Sequence, residues 1–144
     1  MIKTLQISEK EAWDLAFNAL VNNNTSEDNA KEVADALISA EFDGQAGHGL
    51  SRIPSYVEQL TAGKVKGTEA PSILSSKGSV IRVDAKNGFA YPAISLALKE
   101  ITTTCKKFGI AAASITRSHH FGQAGRHVEI LADNGLIGLM FGNT

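Results

Sequence analysis

The sequence predicts an α/β fold: a helical N-terminal part followed by the start of a mixed, largely parallel sheet. Three observations predict it. Apolar residues recur at helical spacing as far as Gly63, the period shortens to strand alternation from Ser72, and strand and helix patterns then alternate to the end. The change divides the chain into residues 1–66, a helical part, and 67–144, the first part of an α/β unit.

Ser8 followed by Glu11 fits a capping box, and Trp13, Ala16, Phe17 and Leu20 repeat at helical spacing until Asn22-Asn23-Asn24 breaks the pattern. A second helix opens at Thr25 or Ser26, with Glu27 and Asp28 in its first turn complementing the helix dipole. Its apolar stripe is Ala30, Val33, Ala34, Leu37 and Ile38, and it should end near Asp43-Gly44. Ser51 is placed to cap a third helix, with Pro54 in the opening turn, Tyr56, Val57 and Leu60 on one face and Gly63 as the stop.

Lys64 to Pro71 is a polar connection. Ser79 to Asp84 alternates like a strand, with Ser72-Ile73-Leu74 as its partner across a turn at Lys77-Gly78, and Asn87-Gly88 marks the next turn. Pro92 opens a long helix carrying Ile94, Leu96, Ala97, Leu98 and Ile101, which stops at Phe108-Gly109. Ile110 to Thr116 is a continuous apolar run and predicts a strand covered on both faces. A helix from about Gln123 to Asp133 follows, and Leu136 to Phe141 reads as another buried strand. Ligands of open α/β sheets bind beyond the carboxyl ends of strands, yet Gly142-Asn143-Thr144 comes directly after this last one. The expectation is an incomplete fold whose C-terminal portion lies beyond Thr144; a short chain that shields the strand in an oligomer is the alternative.

Fourteen Lys and Arg against fifteen Asp and Glu give a net charge of -1, and the basic residues are dispersed. That balance argues against a nucleic-acid surface. Cys105 is the single cysteine, which excludes a disulfide within the chain and points to a reducing compartment. Met1 to Gln6 turns polar at once, and no apolar run suffices for a signal peptide or a membrane span. The expected location is the cytoplasm, with no membrane partner.

His48 lies between Gly47 and Gly49, and Arg52 follows four residues later. A titratable imidazole on a glycine-rich turn, just ahead of a guanidinium that grips carboxylates with paired hydrogen bonds, suits proton transfer to an anionic substrate. A glycine-capped helix end with a surface histidine explains the same residues, and residue types alone leave both readings open. Ser118-His119-His120-Phe121-Gly122-Gln123-Ala124-Gly125 joins a predicted strand to a helix. Backbone N–H groups at that helix start would favour a phosphate, and the histidines and Phe121 could flank a flat ring. A plain structural turn fits too, and the dinucleotide fingerprint of Rossmann folds is missing. The histidines His48, His119, His120 and His127 lack metal-site spacing, so no metal is expected. No Gly-x-Ser-x-Gly elbow occurs, and Cys105 reads as a buried small hydrophobe.

Four blocks, Glu41 to Gly44 with His48 to Tyr56, Val83 to Phe89, Ser118 to Gly122, and Gly135 to Gly138, together resemble the malate/L-lactate/sulfolactate dehydrogenase family across nearly the whole chain. Its relatives include ureidoglycolate dehydrogenase, diketogulonate reductase and piperideine-2-carboxylate reductase. The resemblance implies a dimeric oxidoreductase using NAD or NADP, with an α/β cofactor domain that is not Rossmann-like. By motif it implies that His48 is the acid/base, that Arg52 binds the substrate carboxylate, and that His120, Phe121, Gly122, Gln123 and Ala124 contact the cofactor. Many members carry a serine before the histidine, assigned in some to a proton relay with a later aspartate; here Gly47 brings no hydroxyl. Family chains are more than twice as long.

The resulting expectation is hydride transfer between NAD(P)H and C2 of a small 2-oxo or cyclic 2-imino acid, with this chain a fragment inactive alone. A noncatalytic regulatory or assembly module of the same fold is the alternative.

Overall fold

The computed structural model describes residues 6–143. Met1 to Leu5, read as a polar start, and Thr144 lie outside the described residues. Helix α1 (Glu9–Val21) begins in the capping box: Ser8 Oγ accepts the Glu11 N–H at 3.2 Å, and the Glu11 carboxylate accepts the Ser8 N–H at 2.8 Å. Helix α2 (Glu27–Phe42) starts from Ser26, whose hydroxyl accepts the Asn29 N–H. The stripes of both helices meet in one cluster, where Leu20, Val33 and Leu37 are fully buried with Tyr56, Phe89 and Tyr91. Burying each such side chain contributes about 1.5–3 kcal/mol, so this cluster fixes the helices against the start of the α/β part.

Two 3-10 turns, Ala46–His48 and Leu50–Arg52, separate α2 from helix α3 (Ile53–Thr61). Ser51 does not cap α3. Its hydroxyl donates to Ala46 O at 2.6 Å, because the intervening turn folds it back toward α2, and α3 starts without a side-chain cap.

Strand β1 (Ser72–Lys77) runs antiparallel to β2 (Val80–Asp84), joined through Gly78 at φ +58°. Helix α4 (Ala90–Phe108) returns the chain to β3 (Ala112–Thr116), which pairs in parallel with β2 from Val80↔Ala112 to Asp84↔Thr116. The sheet order is β1-β2-β3, so the sheet is mixed. Ile81 and Val83 alternate into a second cluster against Ala93 and Ala97 of α4. Helix α5 (Ala124–Asp133) packs beside α4 through Leu131.

Three expectations need correction. β3 is not covered on both faces: Ala113 and Ile115 pack on the α4 side while Ala112, Ser114 and Thr116 are exposed, because α4 covers only one face of the strand. Leu136 to Phe141 is not a strand. A strand needs a partner for its N–H and C=O groups, and none of the described strands pairs with this segment, which leaves Ile137 97 % and Phe141 89 % exposed. Leu136 and Met140 on the alternate side touch the third cluster, across a cavity of about 700 Å³ that Ile115, Phe121, Leu131 and Met140 help to line. Cys105 is half-buried rather than enclosed, with Sγ 3.7 Å from Gly109 O.

Candidate active site

Parallel pairing brings the carboxyl ends of β2 and β3 to one edge, where Asp84 stands in register with Thr116. The loops that leave them are laced together: Ala85 N–H donates to Thr116 O at 3.0 Å, Asn87 N–H to Arg117 O at 2.8 Å, and His119 N–H to Gly88 O at 3.3 Å. The buried Asp84 carboxylate accepts from Arg117 Nε at 3.0 Å, from Arg117 Nη2, and from the Lys86 N–H at 2.8 Å. The Arg117 hydrogen bond, then that of Lys86, holds the Asp84 carboxyl below the usual carboxylate range. The base of the 117–123 loop is therefore fixed, and its tip lies over the helical part.

There it meets the His48 turn. His48 N–H donates to Gln45 O at 2.7 Å, the Glu41 carboxylate accepts the Leu50 N–H at 2.7 Å, and Arg52 Nε donates to Gly47 O at 2.5 Å. A side chain at buried Gly49 would meet the Glu41 carboxylate, so glycine there leaves room for the Glu41 bond to the Leu50 N–H. The half-buried His48 ring stacks on His120, with centroids 5.6 Å apart and planes 14° apart, and His120 stacks in turn on Phe121 at 6.0 Å. His48 Nδ1 is buried without a hydrogen-bond partner among the described residues.

His120 is held from its other side. Its Nδ1 accepts the Gly122 N–H at 3.2 Å and lies 3.2 Å from the Tyr56 hydroxyl, which is 3.1 Å from the Tyr91 hydroxyl. Burial, then the charges of Arg52 and His48, lowers its pKa from the ordinary histidine value. His119, its neighbour, faces a different environment: Nε2 is 2.9 Å from Gln59 Oε1, and the ring meets Tyr56 and Phe89 edge-on at 5.0 and 5.6 Å. Burial first, then the His120, Lys64 and Arg52 charges, pushes the His119 pKa down to about 4. His119 is thus a neutral packing residue at physiological pH. His127 is buried on α5 and its Nε2 donates to Phe121 O at 2.8 Å.

Of the residues singled out from sequence, the structure brings His48, Arg52, His120 and Phe121 together. Arg52 sits close enough for its charge to act on both His119 and His120. Gly122 adopts φ +70°, and a Cβ there would strike the Tyr91 hydroxyl, so the close approach this glycine permits in the structure is to Tyr91. Gln123 caps nothing with its side chain. Its Nε2 donates to Asp43 Oδ2 at 2.7 Å, which ties the start of α5 to the end of α2, while its Oε1 is buried without a partner among the described residues. Ala124 is exposed in the first turn of α5 beside Gly125.

Sequence reasoning missed Tyr56 as more than an apolar face and did not find Tyr91 or Gln59. A tyrosine on a buried helical face brings a hydroxyl that must find a partner, which was the available signal for Tyr56. No local pattern announces Tyr91 or Gln59.

The ends of β2 and β3, the His48 turn and the start of α5 thus meet in one polar region. The family model described as malate/L-lactate dehydrogenase matches residues 7–144. The chain is 44 % identical over 137 residues to the (2R)-3-sulfolactate dehydrogenase (NADP(+)) of Chromohalobacter salexigens, covering 95 % of this chain and 41 % of that protein. It is 35 % identical over 141 residues to the Delta(1)-pyrroline-2-carboxylate/Delta(1)-piperideine-2-carboxylate reductase of Pseudomonas syringae pv. tomato, covering 98 % and 41 %. The solved structure of delta1-piperideine-2-carboxylate reductase from the same organism superposes with a TM-score of 0.86 at 35 % identity, over 92 % of this chain and 40 % of that one. Malate dehydrogenase from Entamoeba histolytica gives 0.86 at 28 % identity, over 92 % and 37 %. The chain spans about two fifths of the length of the curated relatives it matches. By the match over residues 7–144, this chain belongs to the malate/L-lactate dehydrogenase family.

Proposed function

We propose that the protein containing this chain is an NAD(P)-dependent oxidoreductase that reduces C2 of a small 2-oxo or cyclic 2-imino acid, with the reverse oxidation of the 2-hydroxy or amino acid. Residues 1–66 carry the acid and the carboxylate clamp, and residues 67–144 carry the cofactor loop. The observation that carries this reading is the His48–His120 stack, which sets a titratable ring from the first part against the loop of the second, with the Arg52 charge beside both. The named relatives, a sulfolactate dehydrogenase and a pyrroline-2-carboxylate reductase, support the same substrate chemistry.

The residues fit a dinucleotide. Helix α5 has no side-chain cap, Ala124 and Gly125 are exposed in its first turn, and Arg126 follows, so free N–H groups and a cation are available to a phosphate. His120 and Phe121 offer flat faces to a ring. A nicotinamide, when bound, supplies the hydride. Arg52 holds the substrate carboxylate with its terminal nitrogens, since Nε is already engaged by Gly47 O. His48 delivers the proton to the carbonyl oxygen or imine nitrogen as the adjacent carbon is reduced. The homodimer implied by the resemblance and the cytoplasmic location expected from the sequence are part of this proposal, and light scattering on the complete protein checks the dimer.

The test is to assay the complete protein with NADH and NADPH against a panel of 2-oxo and cyclic 2-imino acids. His48→Ala should abolish turnover, and wild-type rates in that variant refute its role. Arg52→Ala should weaken acid substrates about a hundredfold, the loss of two charge-assisted hydrogen bonds, while leaving cofactor affinity intact. Equal weakening of both would make Arg52 structural, a reading its bond to Gly47 O makes concrete.

A further inference from the structure

The two stacked histidines are held differently, and that difference has a chemical consequence. Gly122 N–H has no choice of role: it donates, so Nδ1 of His120 must be the lone-pair nitrogen. The Tyr56 hydroxyl, 3.2 Å from the same nitrogen, can meet it only as a donor that shares the single lone pair with the Gly122 N–H, and Tyr91, at 3.1 Å from Tyr56, then donates into the Tyr56 oxygen. Both phenols are buried, 1 % and 2 % exposed, and burial raises both pKa values, so both keep their protons. The chain of donors runs Tyr91 to Tyr56 to His120 Nδ1. It leaves His120 with its proton on Nε2, where no protein acceptor lies among the described residues.

We propose that Tyr56, backed by Tyr91, is a positioning residue that fixes His120 as the neutral Nε2–H tautomer, so that His120 offers a hydrogen-bond donor to an oxygen held beside His48. This rests on the proposed hydride-transfer reading for its role in turnover, but not for the state of the ring. The titratable and charged groups around His120 are His48 and Arg52 from the 3-10 turns, Tyr56 from α3 with Tyr91 of α4 behind it, and His119 on its own loop. The cations Arg52 and protonated His48 oppose a charge on His120, and the two hydroxyl and amide donors oppose it further.

The experiment is histidine-ring nitrogen NMR on the complete protein with pH titration, in wild type, Tyr56→Phe and Tyr91→Phe, alongside the pH profile of reductase activity. Wild type alone is informative: a pyridine-type Nδ1 and protonated Nε2 on His120 are expected, and a proton on Nδ1 at neutral pH overturns the proposal. Tyr56→Phe should raise the His120 midpoint by about half to one pH unit, the worth of one neutral hydrogen bond, and move the low-pH limb of activity by the same amount. Tyr91→Phe should move both less, since it touches His120 only through Tyr56. An unmoved His120 midpoint in Tyr56→Phe, or a moved midpoint with an unmoved kinetic limb, overturns it. Absence of hydride transfer by wild type would instead remove the functional reading and leave the ring titration standing.

Discussion

Replacing Gly122 by alanine should be among the most damaging single-methyl changes in this chain, and its cost can be assembled from the structure. The residue is buried at φ +70°, where an L side chain costs about 1–2 kcal/mol. The new Cβ would meet the Tyr91 hydroxyl, so the phenol must move. Moving it loses the 3.1 Å contact to Tyr56, worth about 1 kcal/mol, and strains a packed cluster by about 1 kcal/mol more. The total is about 3–4 kcal/mol. Gly135 supplies the control, because it has φ +73° with nothing within 4 Å of its Cβ position. Gly135→Ala should cost only the backbone part, about 1–2 kcal/mol. Urea unfolding of the two variants in the complete protein, each also made in a Tyr91→Leu background, separates the contributions. The gap between them should be about 2 kcal/mol and should nearly close when Tyr91 is leucine. If Gly122→Ala costs no more than Gly135→Ala with Tyr91 present, contact with Tyr91 is not why a glycine stands there.

Further outcomes follow from the charged and titratable groups. The His119 pKa is depressed to about 4, below the ordinary value of about 6.5. The unfolded chain therefore binds more protons between those values, and stability should fall as pH drops from 6.5 toward 4, by at most about 3 kcal/mol from this residue. His119→Phe, which keeps the ring, should flatten that slope in urea titrations; an unchanged slope refutes the assignment. Asp84→Asn should destabilise the protein at neutral pH by weakening the Arg117 pair. Because the Asp84 pKa is lowered, the wild-type advantage is present above about pH 4 and vanishes as pH falls through the folded value. A gap between wild type and Asn that persists in acid would show that geometry, not charge, is at stake. Glu41→Gln keeps an acceptor for the Leu50 N–H, whereas Glu41→Ala removes it. Turnover should survive the first and fall about tenfold in the second if that bond sets the His48 turn.

How much of this was legible beforehand depends on the range of the interaction concerned. The Ser8/Glu11 box, the Ser26 cap and the stop of α4 at Gly109 follow from side chains within a few residues of the backbone they serve, and the sequence carries them openly. Ser51 misled because its hydroxyl had two kinds of partner within reach: the Ala46 O acceptor behind it won over the N–H donors ahead. The apolar runs at Ile110 to Thr116 and Leu136 to Phe141 record how buried a segment is meant to be, but not which neighbour buries it. In the site, His48 and Arg52 were visible because they share one turn. Tyr91 is 35 positions from Tyr56, and Gln59 is 60 from His119, so only the fold reveals that they touch.

The asymmetry between His48 and His120 is where local and long-range information combine into chemistry. Two imidazolium rings 5.6 Å apart would repel by about 3 kcal/mol at an effective dielectric constant of about 20. That repulsion disfavours charging both rings together. Which ring stays neutral is then decided by hydrogen bonds: Nδ1 of His120 receives donors from Gly122 and Tyr56, whereas Nδ1 of His48 has none among the described residues. Donors stabilise a lone pair and penalise its protonation, so His120 is held in its neutral form. The motif around His48 identifies an imidazole beside a guanidinium; the tyrosine pair, invisible to any motif, is what sets the hydrogen-bonding state of the ring stacked on it.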